Sequence, residues 1–139
     1  MKSRCITLTV DGIIPVEGKI VLVRRKNEPF KGKLALPGGI VEYGESVEDA
    51  LRRELEEETG LICEPAKLIG VFSKPDRDPR GHFVSVCFLA KPVGGRLKAG
   101  DDAEDVVLIS AEEALSRELA FDHSEMLREA MRSGVLSKV

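Results

Sequence analysis

The chain has 139 residues, 42% apolar and 32% charged, which suits one globular domain over residues 1–139 with a core that needs no disulfide or metal staple. No apolar run reaches the length of a membrane span and no signal peptide opens the chain, so a cytoplasmic protein with no membrane partner is expected. A net charge of −3 argues against broad nucleic-acid binding, which needs a basic field.

Residues 4–14, RCITLTVDGII, alternate as a strand with Ile6, Leu8 and Val10 on one face. Pro15 to Gly18 turns the chain into a second strand, Lys19 to Arg25, apolar on both faces and therefore central. A polar loop, Asn27 to Lys33, leads to a short extended piece at Leu34–Leu36. Pro37-Gly38-Gly39 then forces a turn that brings bare backbone close to a partner. Strands are predicted at Ala66–Ser73 and His82–Ala90, joined by the loop KPDRDPRG, and a long loop follows from Lys91 to Asp102. Val106–Ile109 is a last short strand. Ser110 with Glu113, and Asp122 with Glu125, mark two capped helices, the second carrying Met126, Leu127, Ala130 and Met131 up to Gly134. Strands, helix, strands, helices in that order give an α/β fold with a mixed β-sheet sandwiched between helices. Cys5, Cys63 and Cys87 fit neither a disulfide framework nor a zinc site. Cys5 and Cys87, in apolar strand contexts, are expected to be reduced core residues.

The most informative stretch is a helix predicted from about Ser46 to Thr59, N-capped by Ser46 and closed by Gly60 in a left-handed cap. Val47, Ala50, Leu51 and Leu55 form its core stripe. Glu54 and Glu58 fall inside that stripe and Glu57 at its edge, although like charges at these spacings repel and buried carboxylates are costly. A divalent cation resolves the conflict, because Mg²⁺ and Mn²⁺ prefer oxygen ligands. The helix reads as a metal platform.

The same stretch resembles the box of the Nudix hydrolase family, G-x5-E-x7-R-E-U-x-E-E-x-G-U with U aliphatic. Gly39, Glu45, Arg53, Glu54, Leu55, Glu57, Glu58, Gly60 and Leu61 meet every fixed position. At average residue usage such a match arises in fewer than about one in 10⁸ starts. The resemblance implies the Nudix fold and hydrolysis of a nucleoside diphosphate linked to another moiety, with Mg²⁺ or Mn²⁺ as cofactor and a homodimeric assembly. It implies Glu54 and Glu58 as metal ligands, Glu57 as ligand or neighbour, and a main-chain carbonyl of Gly38 or Gly39 beside them. Arg53 and Glu45 would pair to hold helix and loop in register; an ordinary surface salt bridge is the alternative. The general base or a further ligand would come from Glu57, Glu58 or a late loop, where Asp101, Asp102, Glu104 and Asp105 stand and Asp102 and Glu104 are the candidates.

Pro75, fifteen residues after Gly60, and the run Ser73 to His82 resemble a loop of ADP-ribose-hydrolysing members. Arg77 and Arg80 would clamp the pyrophosphate or the terminal ribose, while Arg24 and Arg25 are further phosphate candidates. A solvated turn is the competing reading of that loop. His82 is read as structural. Many relatives carry Trp where Leu34 stands, and this chain has none, which leaves Phe30, Tyr43, Phe72, Phe83 or a partner subunit to stack on the base. The leading expectation is an ADP-ribose pyrophosphatase giving AMP and ribose 5-phosphate. The alternatives are a house-cleaning hydrolase of nucleoside triphosphates and a non-catalytic ADP-ribose sensor. The sensor is disfavoured by the intact box and by the lack of a following DNA-binding module.

Overall fold

The computed structural model describes residues 4–98 and 105–136. Strand β1 (Thr7–Ile13) lies inside a four-stranded mixed sheet. It runs antiparallel to β5 (Gly38–Ile40) on one side and parallel to β7 (Phe83–Gly95) on the other, and β6 (Leu61–Phe72) closes the order β5-β1-β7-β6. A second, antiparallel sheet is built on β3 (Lys19–Arg24), which pairs with β2 (Pro15–Val16), β4 (Leu34–Ala35) and β8 (Val106–Ile109).

The period-2 geometry of β1 and β3 divides the core in two. Val10, Ile14 and Val21 pack with Ala50, Leu51 and Leu55 of α1 (Val47–Thr59). Ile13, Ile20 and Leu22 turn the other way, onto Met126, Leu127 and Ala130 of α3 (His123–Arg132) and Ala111 and Ala114 of α2 (Ala111–Leu115). Helices therefore cover both sides, the α/β arrangement expected, and β3 is apolar on both faces for that reason. Leu55 is fully buried, and its truncation to Ala is expected to cost about 2–5 kcal/mol.

The caps of α1 follow the sequence: the Ser46 side chain accepts from the Asp49 N–H, and Gly60 adopts φ 84°. Ser110 caps α2 in the same way, through Glu113 N–H. Asp122 does not cap α3, because its carboxylate is engaged by Arg77. Three further expectations are corrected. Cys5, Ile6 and Leu8 are exposed and β1 begins at Thr7, because α1 covers Val10 and Ile14 but not the preceding residues. Strand β6 begins at Leu61, directly after the helix cap, rather than at Ala66. Residues 91–95 extend β7 where a loop was expected. Register shifts at Ile62/Cys63, Pro65/Lys67 and Leu68/Gly70 break the alternation that would have revealed this long ribbon.

Candidate active site

The site is built where β1, β5 and α1 meet. Gly38 and Gly39 lie against β1, paired with Asp11 and Val10. A Cβ on Gly38 would run into the Val10 carbonyl and the Asp11 carboxylate, and one on Gly39 into the Glu54 carboxylate. Only glycine lets the backbone approach the acidic helix this closely.

Arg53 is the hub of the box. Its Nε and Nη2 donate to the two oxygens of Glu45 at 2.7 and 2.9 Å, and its Nη1 donates to Glu54 at 2.9 Å. Nη2 also reaches the Ile40 carbonyl at 3.2 Å, which ties β5 to α1. This fork holds the Glu45 carboxyl down at about 2, and the carboxylates around Arg53 raise its own pKa.

Glu54 and Glu58 face a cavity of about 560 Å³, as the helical stripe predicts. Burial pushes Glu58 up to about 7, opposed by a 3.2 Å hydrogen bond from the Gly38 N–H, and burial likewise raises Glu54. Glu57 stands outside, with an exposed side chain 3.6 Å from Arg53. Among the described residues no three acidic, histidine or cysteine side chains already converge on a point. The donors that line the wall are oxygens, two carboxylates beside glycine backbone, and this set suits a hard divalent cation. Asp102 and Glu104, with Asp101, lie outside the described residues. Asp105 pairs with Lys26 at 2.8 Å.

Among the cavity residues that the sequence did not single out are Asp11, His123 and Phe121. Asp11 is a lone acid in an apolar strand, and that was its only signal. It is buried, its carboxyl is pushed up to about 7 by burial, and Ser85 Oγ donates to it at 2.5 Å. His123 accepts the Leu36 N–H on Nδ1 at 2.9 Å, so its proton sits on Nε2, 3.6 Å from Asp11. Burial lowers His123 to about 3, so the imidazole is neutral.

The arginine loop forms the opposite rim. Arg77 is 5% exposed and its fork is bonded to Asp122, at 2.9 Å from Nε and 2.6 Å from Nη2. Arg80 is paired with the buried Asp78 at 3.1 and 2.8 Å, and its guanidinium lies 4.7 Å from the Phe83 ring. Arg25 lines this cavity and also a smaller one of about 310 Å³, which Arg24 shares with Glu57, Glu58 and Lys98. Pro75 is exposed and lines neither cavity. His82 bonds the Ser73 carbonyl at 3.1 Å, closing the base of the loop. Of the aromatic candidates, Phe83 lines the cavity, Phe30 packs on Phe121, Phe72 packs on the core and Tyr43 is fully exposed.

Fold and site together define an α/β domain in which an acidic helix under a glycine turn faces an arginine-rimmed cavity of nucleotide size. A family model described as the NUDIX domain matches residues 7–130, and the chain belongs to the Nudix family. It is 52% identical over 125 residues to a protein named ADP-ribose pyrophosphatase from Methanocaldococcus jannaschii, over 90% of this chain and 73% of that one. A crystal structure of a mutT/nudix family protein from Listeria innocua matches with TM-score 0.74 and 38% identity, over 91% of this chain and 92% of that one. A bifunctional NMN adenylyltransferase/ADP ribose pyrophosphatase from Francisella tularensis, complexed with AMP and a Mn ion, matches with TM-score 0.77 and 30% identity. That match covers 96% of this chain and 43% of the other.

Proposed function

We propose that the chain hydrolyses the pyrophosphate bond of ADP-ribose, or of a related nucleoside diphosphate derivative, to AMP and ribose 5-phosphate. The observation that carries this reading is the pair of half-buried carboxylates, Glu54 and Glu58, set under the glycine turn of an intact Nudix box. The 52% identity to a protein named ADP-ribose pyrophosphatase supports the substrate.

Glu54 and Glu58, with a carbonyl of Gly38 or Gly39, would hold Mg²⁺ or Mn²⁺, and Glu57 stands beside them. When bound, such an ion neutralises the pyrophosphate and lowers the pKa of a bound water. In the reaction the water oxygen forms a bond to one phosphorus and the bridging oxygen leaves with the other phosphate. The water proton passes to a carboxylate, for which Glu57, Glu58, Asp102 and Glu104 are the candidates. Arg53 keeps Glu54 aimed into the cavity while Glu45 fixes the loop before α1. Arg25 and Arg80 bring guanidinium charge to the pyrophosphate or ribose, and Arg77, committed to Asp122, sets the loop's position. Arg24, in the smaller cavity with Glu57 and Glu58, is a further phosphate contact, and Pro75 is left with no direct part. A cytoplasmic homodimer belongs to the same proposal, and sedimentation at micromolar concentration tests the dimer.

A substrate panel tests the activity. With Mg²⁺, ADP-ribose is expected to yield AMP and ribose 5-phosphate in equal amounts, faster than any nucleoside triphosphate at equal concentration. Faster turnover of a triphosphate or of an oxidised guanine nucleotide would place the chain among house-cleaning hydrolases. Tight ADP-ribose binding without turnover would make it a sensor.

A further inference from the structure

Phe121 and Phe30 are the only large side chains among the described residues, apart from Glu17, that hold a left-handed backbone, with φ of 53° and 64°. For a bulky residue this conformation costs roughly 1–2 kcal/mol, and it persists where surrounding structure imposes it. The two rings meet edge to face at 4.8 Å, and neither belongs to either core cluster. Filling the core therefore does not explain them. Phe121 instead walls the cavity beside Phe83.

A planar cation already spans this wall. The Arg80 guanidinium lies 4.7 Å from the Phe83 ring and 5.6 Å from the Phe121 ring, so the rings stand no more than about 10 Å apart. Stacked π-systems meet at about 3.5–4 Å, and a flat heterocycle taking the place of this planar guanidinium would face both rings. Arg25 lies 4.9 Å from the Phe121 ring and is held by donating Nε to the Pro29 carbonyl at 2.7 Å. Among the described residues it has no carboxylate within ion-pair distance, whereas Arg77 and Arg80 each have one. A guanidinium with its charge unspent thus borders the ring on the way to Glu58.

We propose that Phe121 is the stacking platform for the nucleobase and a specificity-determining residue of this chain. Phe30 is its buttress, and the base takes the slot between Phe121 and Phe83 that the Arg80 guanidinium spans here. The proposal rests on the ADP-ribose reading above and names the part of the site that reads the adenine end. It also replaces the stacking role that a Trp at position 34 would have supplied, since Leu34 is buried in the core.

The chain has no Trp, so Phe121→Trp creates a sole fluorescent reporter at the platform, with Tyr43→Trp, at a fully exposed position, as the control. With Mg²⁺ present, AMP is expected to quench the Phe121→Trp signal saturably, while ribose 5-phosphate leaves it unchanged and neither ligand moves the control. In kinetics, Phe121→Ala is expected to raise KM for ADP-ribose about tenfold or more with kcat within about threefold, and Phe121→Trp to restore KM. An AMP-insensitive reporter, or a Phe121→Ala enzyme with wild-type KM, overturns the proposal while ADP-ribose turnover by the wild type leaves the activity standing. Quenching by ribose 5-phosphate alone also overturns it, because the slot then belongs to the sugar end. If Phe121→Ala does not fold, the reporter titration decides. If the wild type neither binds AMP nor cleaves ADP-ribose, the functional reading itself has failed.

Discussion

The two rims of the cavity are held by different kinds of ion pair. On the α1 side, Arg53 gathers Glu45, Glu54 and Glu57 within one short stretch of chain, and its partners are spaced for it by the helix and the preceding turn. On the arginine-loop side, Arg77 grips Asp122, a residue 45 positions away, and its own side chain is more buried than that of Arg53. The first network arranges acids that would otherwise repel. The second docks a loop onto the start of α3 and thereby fixes Phe121 and His123 beside it. In the proposed function the first rim serves the chemistry and the second the recognition of substrate.

The difference can be sharpened by mutation. The largest effect is expected at Glu58: Glu58→Gln should lower kcat for ADP-ribose by about a thousandfold or more while the fold remains, as judged by circular dichroism. Next comes the recognition rim, where Asp122→Ala leaves Arg77 buried without its partner. It should destabilise the protein by about 3 kcal/mol in chemical denaturation, with Arg77→Ala similar and the double variant far from additive.

A pH series probes the α1 rim. In chelator, the folded-state pKa of Glu58 is raised from 4.5 to about 7, so the folded protein holds that proton more tightly than the unfolded chain does. The penalty is absent below the unfolded value, grows between the two values and is constant above the folded one. Glu58→Gln lacks it. The variant is therefore expected to gain on the wild type as pH rises from 4.5 to 7, reaching about 3 kcal/mol. The smallest effect is expected from Arg80→Ala, on a guanidinium that is partly exposed: a KM for ADP-ribose raised several-fold with little change in kcat or stability.

What the sequence discloses divides along the same line. Glu54, Glu58, Gly39 and the caps of α1 were legible because helical periodicity and a local motif encode them within about six turns of chain. The longer strands and the helix-covered arrangement followed from patterning, but β2 and β5, on residues read as turns, and the extents of β6 and β7, where bulges shift the period, did not. Asp122 reads as a helix cap in isolation, and only tertiary contact with Arg77 diverts it. Phe121 carries no periodic signal at all. Its role rests on a backbone conformation and on neighbours from three other segments, Phe30, Arg25 and Arg80.

The most direct test of the acidic platform is Mn²⁺ binding measured by calorimetry, with electron paramagnetic resonance as the readout of bound ion, on wild type and Glu58→Gln at neutral pH. Saturable binding by the wild type, weakened at least tenfold in the variant, is the predicted result. Equal Mn²⁺ affinity in the two proteins would contradict the assignment of these carboxylates to a metal.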